Sequence, residues 1–272
     1  MPKSILIDVS KCHGCRGCQV ACKNWNDLEA TLTQFEGSYE NPTRLSAQTW
    51  TRVRFIEQTD GGLRFLFRKD TCKHCTDASC MAVCPANAIY RKDKTGAVII
   101  NRDECIGCKN CVTACPYQIP QYSKTAGTVA KCHLCNEGDR DRIGNGLQPA
   151  CVSSCPTGAL IFGDRAELLN DAKARVNHLA RQGTEAYVYG EKELSGLNVF
   201  YILDEPSETY GLPAKPTFTD NDVFWLAKWA NILFGTGLLT AIPYYLFFNS
   251  EEEPQDLEAD DEESNSSEKE VS

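Results

Sequence analysis

Cys105-Ile106-Gly107-Cys108-Lys109-Asn110-Cys111-Val112-Thr113-Ala114-Cys115-Pro116 decides how this chain is read. The spacing is Cys-x2-Cys-x2-Cys-x3-Cys, closed by proline. Such a run places three thiolates on one cubane iron–sulfur cluster and sends the fourth to a neighbouring cluster. Cys12, Cys15, Cys18 and Cys22 repeat the spacing. Cys72, Cys75, Cys80 and Cys84 widen one gap, and Cys132, Cys135, Cys151 and Cys155 contain a long excursion. The 272-residue chain thus holds sixteen cysteines in four groups of four, with none left over.

The flanks show which groups are alike. Ile5-Leu6-Ile7-Asp8 leads into Cys12-His13-Gly14-Cys15, and Val98-Ile99-Ile100-Asn101 leads into the quoted run in the same register. Cys84-Pro85-Ala86-Asn87-Ala88-Ile89 matches Cys155-Pro156-Thr157-Gly158-Ala159-Leu160. The first and third groups are therefore one half of a repeat, and the second and fourth are the other half. The inner groups make one two-cluster unit in sequence order. The outer groups make a second unit, as if circularly permuted. A sequential pairing of the groups is the alternative.

If the nested pairing holds and each fourth cysteine crosses over, four ligand sets follow. They are Cys12, Cys15, Cys18, Cys155; Cys22, Cys132, Cys135, Cys151; Cys72, Cys75, Cys80, Cys115; and Cys84, Cys105, Cys108, Cys111. Each has four thiolates, so four [4Fe–4S] clusters are expected. Thiolate is a soft donor that suits iron. Four zinc sites would also use sixteen thiolates, but zinc sites pair two knuckles and have little use for a closely spaced triple. Disulfides need relaxed geometry that such dense spacing rarely permits.

The expected class is α+β: two nested ferredoxin-like units, of residues 1–22 with 132–204 and of residues 72–131. Residues 23–71 are an insertion. Within it Thr49–Glu57 and Leu63–Arg68 flank Asp60-Gly61-Gly62 and read as a β-hairpin. Asp164 opens an expected helix to about Gln182, with Leu168, Leu169, Ala172, Val176 and Leu179 at helical spacing and Gly183 as its stop. Ala186–Tyr189 and Asn198–Leu203 read as strands. Residues 205–222, rich in Pro, Thr and acid, read as an extended linker.

Trp229 to Phe248 is a run of twenty uncharged residues. As a helix it would span roughly 30 Å, one hydrocarbon core, so residues 223–248 are expected to be a transmembrane helix. A buried helix of the soluble body is the rival reading. Residues 249–272 are expected to be a disordered acidic tail. From 251 onward it carries eleven acids and one lysine, hence −10 of the formal net charge of −9. The rest of the chain is nearly neutral, which argues against nucleic-acid binding. Met1–Asp8 shows no basic stretch followed by an apolar run, so no secretory signal is expected there.

No nucleophile–base pair, phosphate loop or dinucleotide fingerprint is visible, so no catalytic residue is expected. His13, His74 and His133 lie inside cysteine runs, and loop filling is the plainer role for each. Arg16, Lys23, Lys73, Lys109 and Lys131 flank ligands. Solvated surface is the plainer reading for most of them, though a positive charge there would favour the reduced cluster. Trp25 and Trp50 read as core or interface residues.

These residues resemble the four-cluster ferredoxin-like subunits of molybdopterin oxidoreductases. Within that group they are similar to the iron–sulfur (beta) subunits of membrane-bound formate dehydrogenases of the formate dehydrogenase-N type. Beyond the cysteines, the likeness rests on Leu6-Ile7-Asp8-Val9-Ser10, Cys18-Gln19-Val20-Ala21-Cys22, Trp25-Asn26-Asp27 and Tyr39 to Trp50. It rests also on Arg68-Lys69-Asp70, Tyr210-Gly211-Leu212-Pro213, the single span and the acidic end. The resemblance implies a non-catalytic subunit that passes electrons singly through four [4Fe–4S] clusters. The donor would be a formate-oxidising molybdopterin (Mo or W) alpha subunit, and the acceptor a cytochrome b gamma subunit serving quinone. The same wiring in a hydrogenase or in a reductase of sulfur compounds or nitrite is the alternative, with a zinc-rich structural protein behind it.

The resemblance also implies an inner-membrane location with the cluster domain on the periplasmic side, exported with its partner. Lys215 and Lys228 precede the span while only Lys269 follows it, which by the positive-inside rule favours the cytoplasmic face. A domain exported already folded need not obey that rule.

Overall fold

The computed structural model describes residues 2–59, 62–220 and 222. The expected transmembrane helix at 223–248, the tail at 249–272 and part of the expected hairpin turn lie outside the described residues. Among the described residues no helix is long and apolar enough to cross a membrane. The described elements belong to the unit Met1–Phe224.

Strands β1 (Lys3–Asp8), β8 (Leu160–Asp164), β9 (Tyr187–Tyr189) and β10 (Val199–Leu203) form a four-stranded sheet in the order β8-β1-β10-β9. β1 runs antiparallel to β8 and parallel to β10, with Ile5 opposite both Phe162 and Val199. Val199-Phe200-Tyr201-Ile202-Leu203 is buried throughout, as a strand covered on both faces should be. Helix α5 (Arg165–Arg181) packs across this sheet through Leu168, Ala172 and Leu179. Those residues lie on the face expected from their spacing. Asp164 stands at the N-cap position, but its carboxylate pairs with Lys3 Nζ at 3.0 Å and leaves the helix end uncapped by a side chain.

β1 precedes the first cysteine group, and β8 follows the fourth. The same relation recurs inside the chain. β5 (Val98–Ile100) precedes the third group and pairs antiparallel with β4 (Ile89–Arg91), which follows the second. The short helices repeat it again. α1 (Gly17–Trp25) packs on α4 (Ala150–Ser153), and α2 (Ser79–Ala82) packs on α3 (Asn110–Ala114). β6 (Gln121–Tyr122) and β7 (Val129–Ala130) form a further small ribbon.

The insertion contains a two-stranded ribbon of β2 (Arg52–Gln58) and β3 (Arg64–Asp70). Its far end bears Phe55, Phe65 and Phe67 in mutual aromatic contact with Tyr39. Its near end, Arg68-Lys69-Asp70, is buried and runs straight into Cys72. The stretch expected as an extended linker begins differently. Ser207, Tyr210 and Leu212 are buried, with Tyr210 and Leu212 in the main core. The chain is therefore anchored at least to Leu212 before any free segment starts.

Candidate metal centres

The cysteine loops are shaped by backbone conformations that few side chains tolerate. Gly14 and Gly107 have φ of +66° and +67° at equivalent places in their runs. At Gly107 an added Cβ would lie 2.2 Å from the carbonyl oxygen of Gly127. This left-handed turn reverses the chain between Cys105 and Cys108, a conformation glycine adopts at no steric cost.

Four groups of sulfurs result. Cys22, Cys132, Cys135 and Cys151 line one void. Cys72, Cys75, Cys80 and Cys115 line a second. Cys12 lies near Cys155 and Cys15, and Cys18 near Cys151 as well as Cys12 and Cys15. Cys111 faces Cys108, Cys105 and Cys84 in the same way. Each half of the chain thus contributes sulfurs to the other half's neighbourhood. All sixteen are free thiols. Among the described residues no three Cys, His, Asp or Glu side chains gather closely enough to hold a single ion.

Burial makes most of these thiols reluctant to ionise. It pushes Cys111 and Cys135 up to about 12, helped by neighbouring sulfurs. Cys18 and Cys80 also reach about 12, although Lys69 and Lys131 respectively oppose the shift. Cys132 behaves differently. Burial works against its thiolate, but His74 and then Lys69 outweigh that and bring it down to about 7. A cationic cluster core would relieve the same repulsion at every site, because metal-bound thiols are deprotonated. The donor sets and the two sulfur-lined voids fit iron–sulfur clusters.

Backbone and side-chain donors point at the sulfurs. His74 N–H donates to Cys72 Sγ at 3.4 Å, and Leu134 N–H to Cys132 Sγ at 3.3 Å. Asn26 Nδ2 donates to Cys22 O at 2.8 Å and approaches Cys22 Sγ at 3.7 Å. His133 Nδ1 accepts Asn136 N–H at 3.1 Å, so its proton sits on Nε2, which donates to Asn26 Oδ1 at 2.8 Å. Burial and then the charge of Lys131 bring His133 down to about 4, and it is neutral at pH 7.

Two plainer sequence readings give way here. His74 and His133 do more than fill loops. His74 is fully buried. Its Nδ1 accepts Val98 N–H at 3.0 Å, which leaves the proton on Nε2. That nitrogen has no well-formed hydrogen bond and faces Cys132. Lys73 and Lys131 are not solvated surface either, at 1% and 5% exposure. The physical reason is docking. The loop from Cys72 is tied to β10 by Lys73 O, which accepts the N–H groups of Asn198 and Val199 at 3.0 Å. Arg16 and Lys23 stay half-exposed, Lys109 is exposed as expected, and His13 is exposed as well. Trp50 is core and Trp25 half-buried, as expected.

Lys69 was not singled out by sequence as a functional residue. It is 2% exposed and lines the void of Cys22, Cys132, Cys135 and Cys151, and among the described residues its Nζ has Thr51 Oγ1, at 3.4 Å, as its hydrogen-bond partner. Its signal in the sequence is a charged triplet, Arg68-Lys69-Asp70, at the end of a strand that leads into a ligand. Burial works against the charge of Lys69 and Lys131, but the surrounding sulfurs prevail and raise both.

Residues 63–165 match the family described as a 4Fe-4S dicluster domain, and residues 9–25 match a 4Fe-4S binding domain. The chain is 42% identical over 225 residues to the nitrate-inducible formate dehydrogenase iron–sulfur subunit of Escherichia coli K12, covering 81% of this chain and 75% of that one. It is 39% identical over 263 residues to a formate dehydrogenase iron–sulfur subunit of Haemophilus influenzae, covering 92% and 83%. It is also 34% identical over 237 residues to the hydrogenase-2 operon protein HybA of Escherichia coli O157:H7, covering 77% and 72%.

Proposed function

The chain belongs to the family of formate dehydrogenase iron–sulfur subunits, and from that premise we propose a complete electron path through it. It is an electron-transfer subunit rather than a catalytic one. It carries electrons singly from a molybdopterin (Mo or W) alpha subunit that oxidises formate to a cytochrome b gamma subunit that reduces quinone. Four [4Fe–4S] clusters supply reversible one-electron storage when bound.

The ligands are the four sets Cys12, Cys15, Cys18, Cys155; Cys22, Cys132, Cys135, Cys151; Cys72, Cys75, Cys80, Cys115; and Cys84, Cys105, Cys108, Cys111. The shared voids and sulfur neighbours described above support these sets. The pairings β1–β8, β4–β5, α1–α4 and α2–α3 support two nested ferredoxin-like units. The rest of the chain holds the sulfurs apart, aims N–H groups at them and excludes water.

The proposal places residues 223–248 across the inner membrane as a single helix in contact with lipid, and leaves residues 249–272 as an acidic tail. The cluster domain then faces the periplasm. Its partners there are the alpha subunit at the outer-group end and the gamma subunit at the membrane end. The single observation that carries the function is that Cys22, Cys132, Cys135 and Cys151 line one void and Cys72, Cys75, Cys80 and Cys115 a second, in a chain so similar to these subunits.

The test is optical. The chain is purified anaerobically with its native partners, and formate is added while the broad visible absorbance of the clusters is followed. Bleaching by formate supports the path. Bleaching by dithionite but not by formate, with an active large subunit present, overturns the formate assignment. The relative encoded with hydrogenase-2 favours a second reading in that event, the same path fed by hydrogen. Bleaching by hydrogen would establish it.

A further inference from the structure

A second network of charge lies on the β2–β3 ribbon. Arg52 stands opposite Asp70, and Arg54 stands directly opposite Arg68. Like charges at directly opposed positions destabilise a ladder. Arg52 pairs with Glu40 and, at 3.5 Å, with Asp70. Arg54 reaches Glu40 at 3.7 Å, while Arg68 and Lys73 draw on Asp70 at 3.1 and 3.3 Å. Two carboxylates thus serve four cations. Arg44 beside them is exposed and has no ion-pair partner among the described residues. The Nε–H groups of Arg52, Arg54 and Arg68 are buried without a hydrogen-bond partner there, and Arg68 is only 2% exposed. A buried donor left unmet is costly.

All four arginines line one cleft of about 900 Å³, together with Pro116 and Tyr117 from the segment after α3. Arg54 is held in place at Gly211, whose φ is +67° and where a Cβ would collide with Arg54 Nη1. Glycine there lets the guanidinium lie against the backbone. Pro116 and Tyr117 also line the void of Cys72, Cys75, Cys80 and Cys115. An occupant of the cleft therefore lies one residue's thickness from that void. Among the described residues no lysine lines the cleft. The guanidinium fork matches a carboxylate with two parallel N–H···O bonds. Arginine and tyrosine are enriched and lysine depleted where proteins meet. Attraction to membrane phosphate draws on lysine as readily as on arginine.

We propose that this cleft is the docking site for an acidic segment of a partner subunit, whose carboxylates take up the unmet N–H groups of Arg54 and Arg68 and the charge of Arg44. The inference rests on the reading of the chain as one subunit of a complex. More than one carboxylate is required, because Glu40 and Asp70 leave the cations in excess. The docked segment relieves the opposition of Arg54 and Arg68 across the ribbon. It also seats the partner beside the loop that carries Cys115, so one contact serves both assembly and the electron path.

The test uses the anaerobic complex of the whole chain with its native partners, with iron measured on every sample. A photoreactive amino acid is placed at Thr113, an exposed residue of the lining, and its cross-link is mapped by mass spectrometry. A cross-link to an acidic stretch of a partner subunit supports the inference and identifies the subunit. A cross-link to lipid, to a stretch without acids, or to nothing in an intact complex overturns it. Arg54→Gln is expected to weaken binding of that subunit about thirtyfold at full iron. Arg44→Glu, at an exposed position, is expected to weaken it less and to flatten its dependence on salt. If Arg54→Gln loses iron, Arg44→Glu decides. Unchanged affinity in either variant at full iron overturns the inference and leaves the electron path standing, which bleaching by formate tests separately. A wild-type chain that purifies with no partner overturns the subunit reading and the inference with it.

Discussion

Arg16 and Lys109 adopt the same left-handed backbone conformation, with φ of 61° and 63°, at the same place in two cysteine runs. Each is the residue before a short helix: α1 carries the third and fourth cysteines of its run, while α3 carries the third and has the fourth, Cys115, as its C-cap. A non-glycine residue held there is uncommon. Its recurrence shows that the two runs share a three-dimensional shape as well as a spacing. The other half repeats too, with Asn87 at φ 51° and Gly158 at φ 65°, each three residues after a Cys-Pro cysteine.

The shared geometry predicts which substitutions act alike. Cys155→Ser and Cys12→Ser should alter the same paramagnetic signal, and Cys151→Ser and Cys22→Ser a different one. Each variant should lose about a quarter of its iron if one cluster fails to assemble. Electron paramagnetic resonance with iron analysis checks this. If Cys155→Ser shared its signal with Cys105→Ser instead, the nested pairing would be wrong.

Gly107→Ala and Gly158→Ala should differ although both residues have positive φ. At Gly158 nothing lies within 4 Å of an added Cβ, so the cost is conformational, about 1 kcal/mol. At Gly107 the Cβ would collide with the backbone oxygen of Gly127. That loop must then move and carry Cys105 and Cys108 with it. Iron content should fall in Gly107→Ala and stay full in Gly158→Ala.

Asp70→Asn should be severe. It leaves Arg68, Lys73 and Arg52 without their shared carboxylate, and breaking a buried pair costs about 3–5 kcal/mol. A lowered urea midpoint of the anaerobic complex would record it. Burial raises the Asp70 carboxyl, but Arg68, Lys73 and Arg52 together hold it well below the usual range. A depressed native pKa stabilises the fold above the unfolded value, near about 4. That contribution fades only as pH falls below it toward the native value. Wild-type protein should lose this part of its stability in strong acid, and Asp70→Asn should lack that dependence.

Removing the iron should open the fold. Without cluster cores the buried thiols repel one another as they ionise, and Lys69 and Lys131 lose the anions that face them. Trp50 reports the change, because its ring packs on His133 with centroids 5.3 Å apart. Its fluorescence should shift to the red on anaerobic oxidative removal of iron with a chelator present. An unchanged emission maximum and unchanged protease resistance would show that packing alone holds the loops.

The chain's own order of residues determined the local parts of this protein. The cysteine groups, the ribbon of β2 and β3, and the face of α5 were legible because each depends on spacing within a few residues. The repeat was legible because equivalent loops need equivalent residues, as Gly14 and Gly107 show. Tertiary structure alone decided which distant segments cover the ligands. β10 lies between β1 and β9 and receives the loop of Cys72, and that docking buries Lys73 and His74. The end of β3 carries Lys69 to the wall of a sulfur-lined void. A lysine beside a cysteine reads as surface in one dimension, because burial is a property of what folds over it. The charges that face the sulfurs therefore emerged only once the strands were placed.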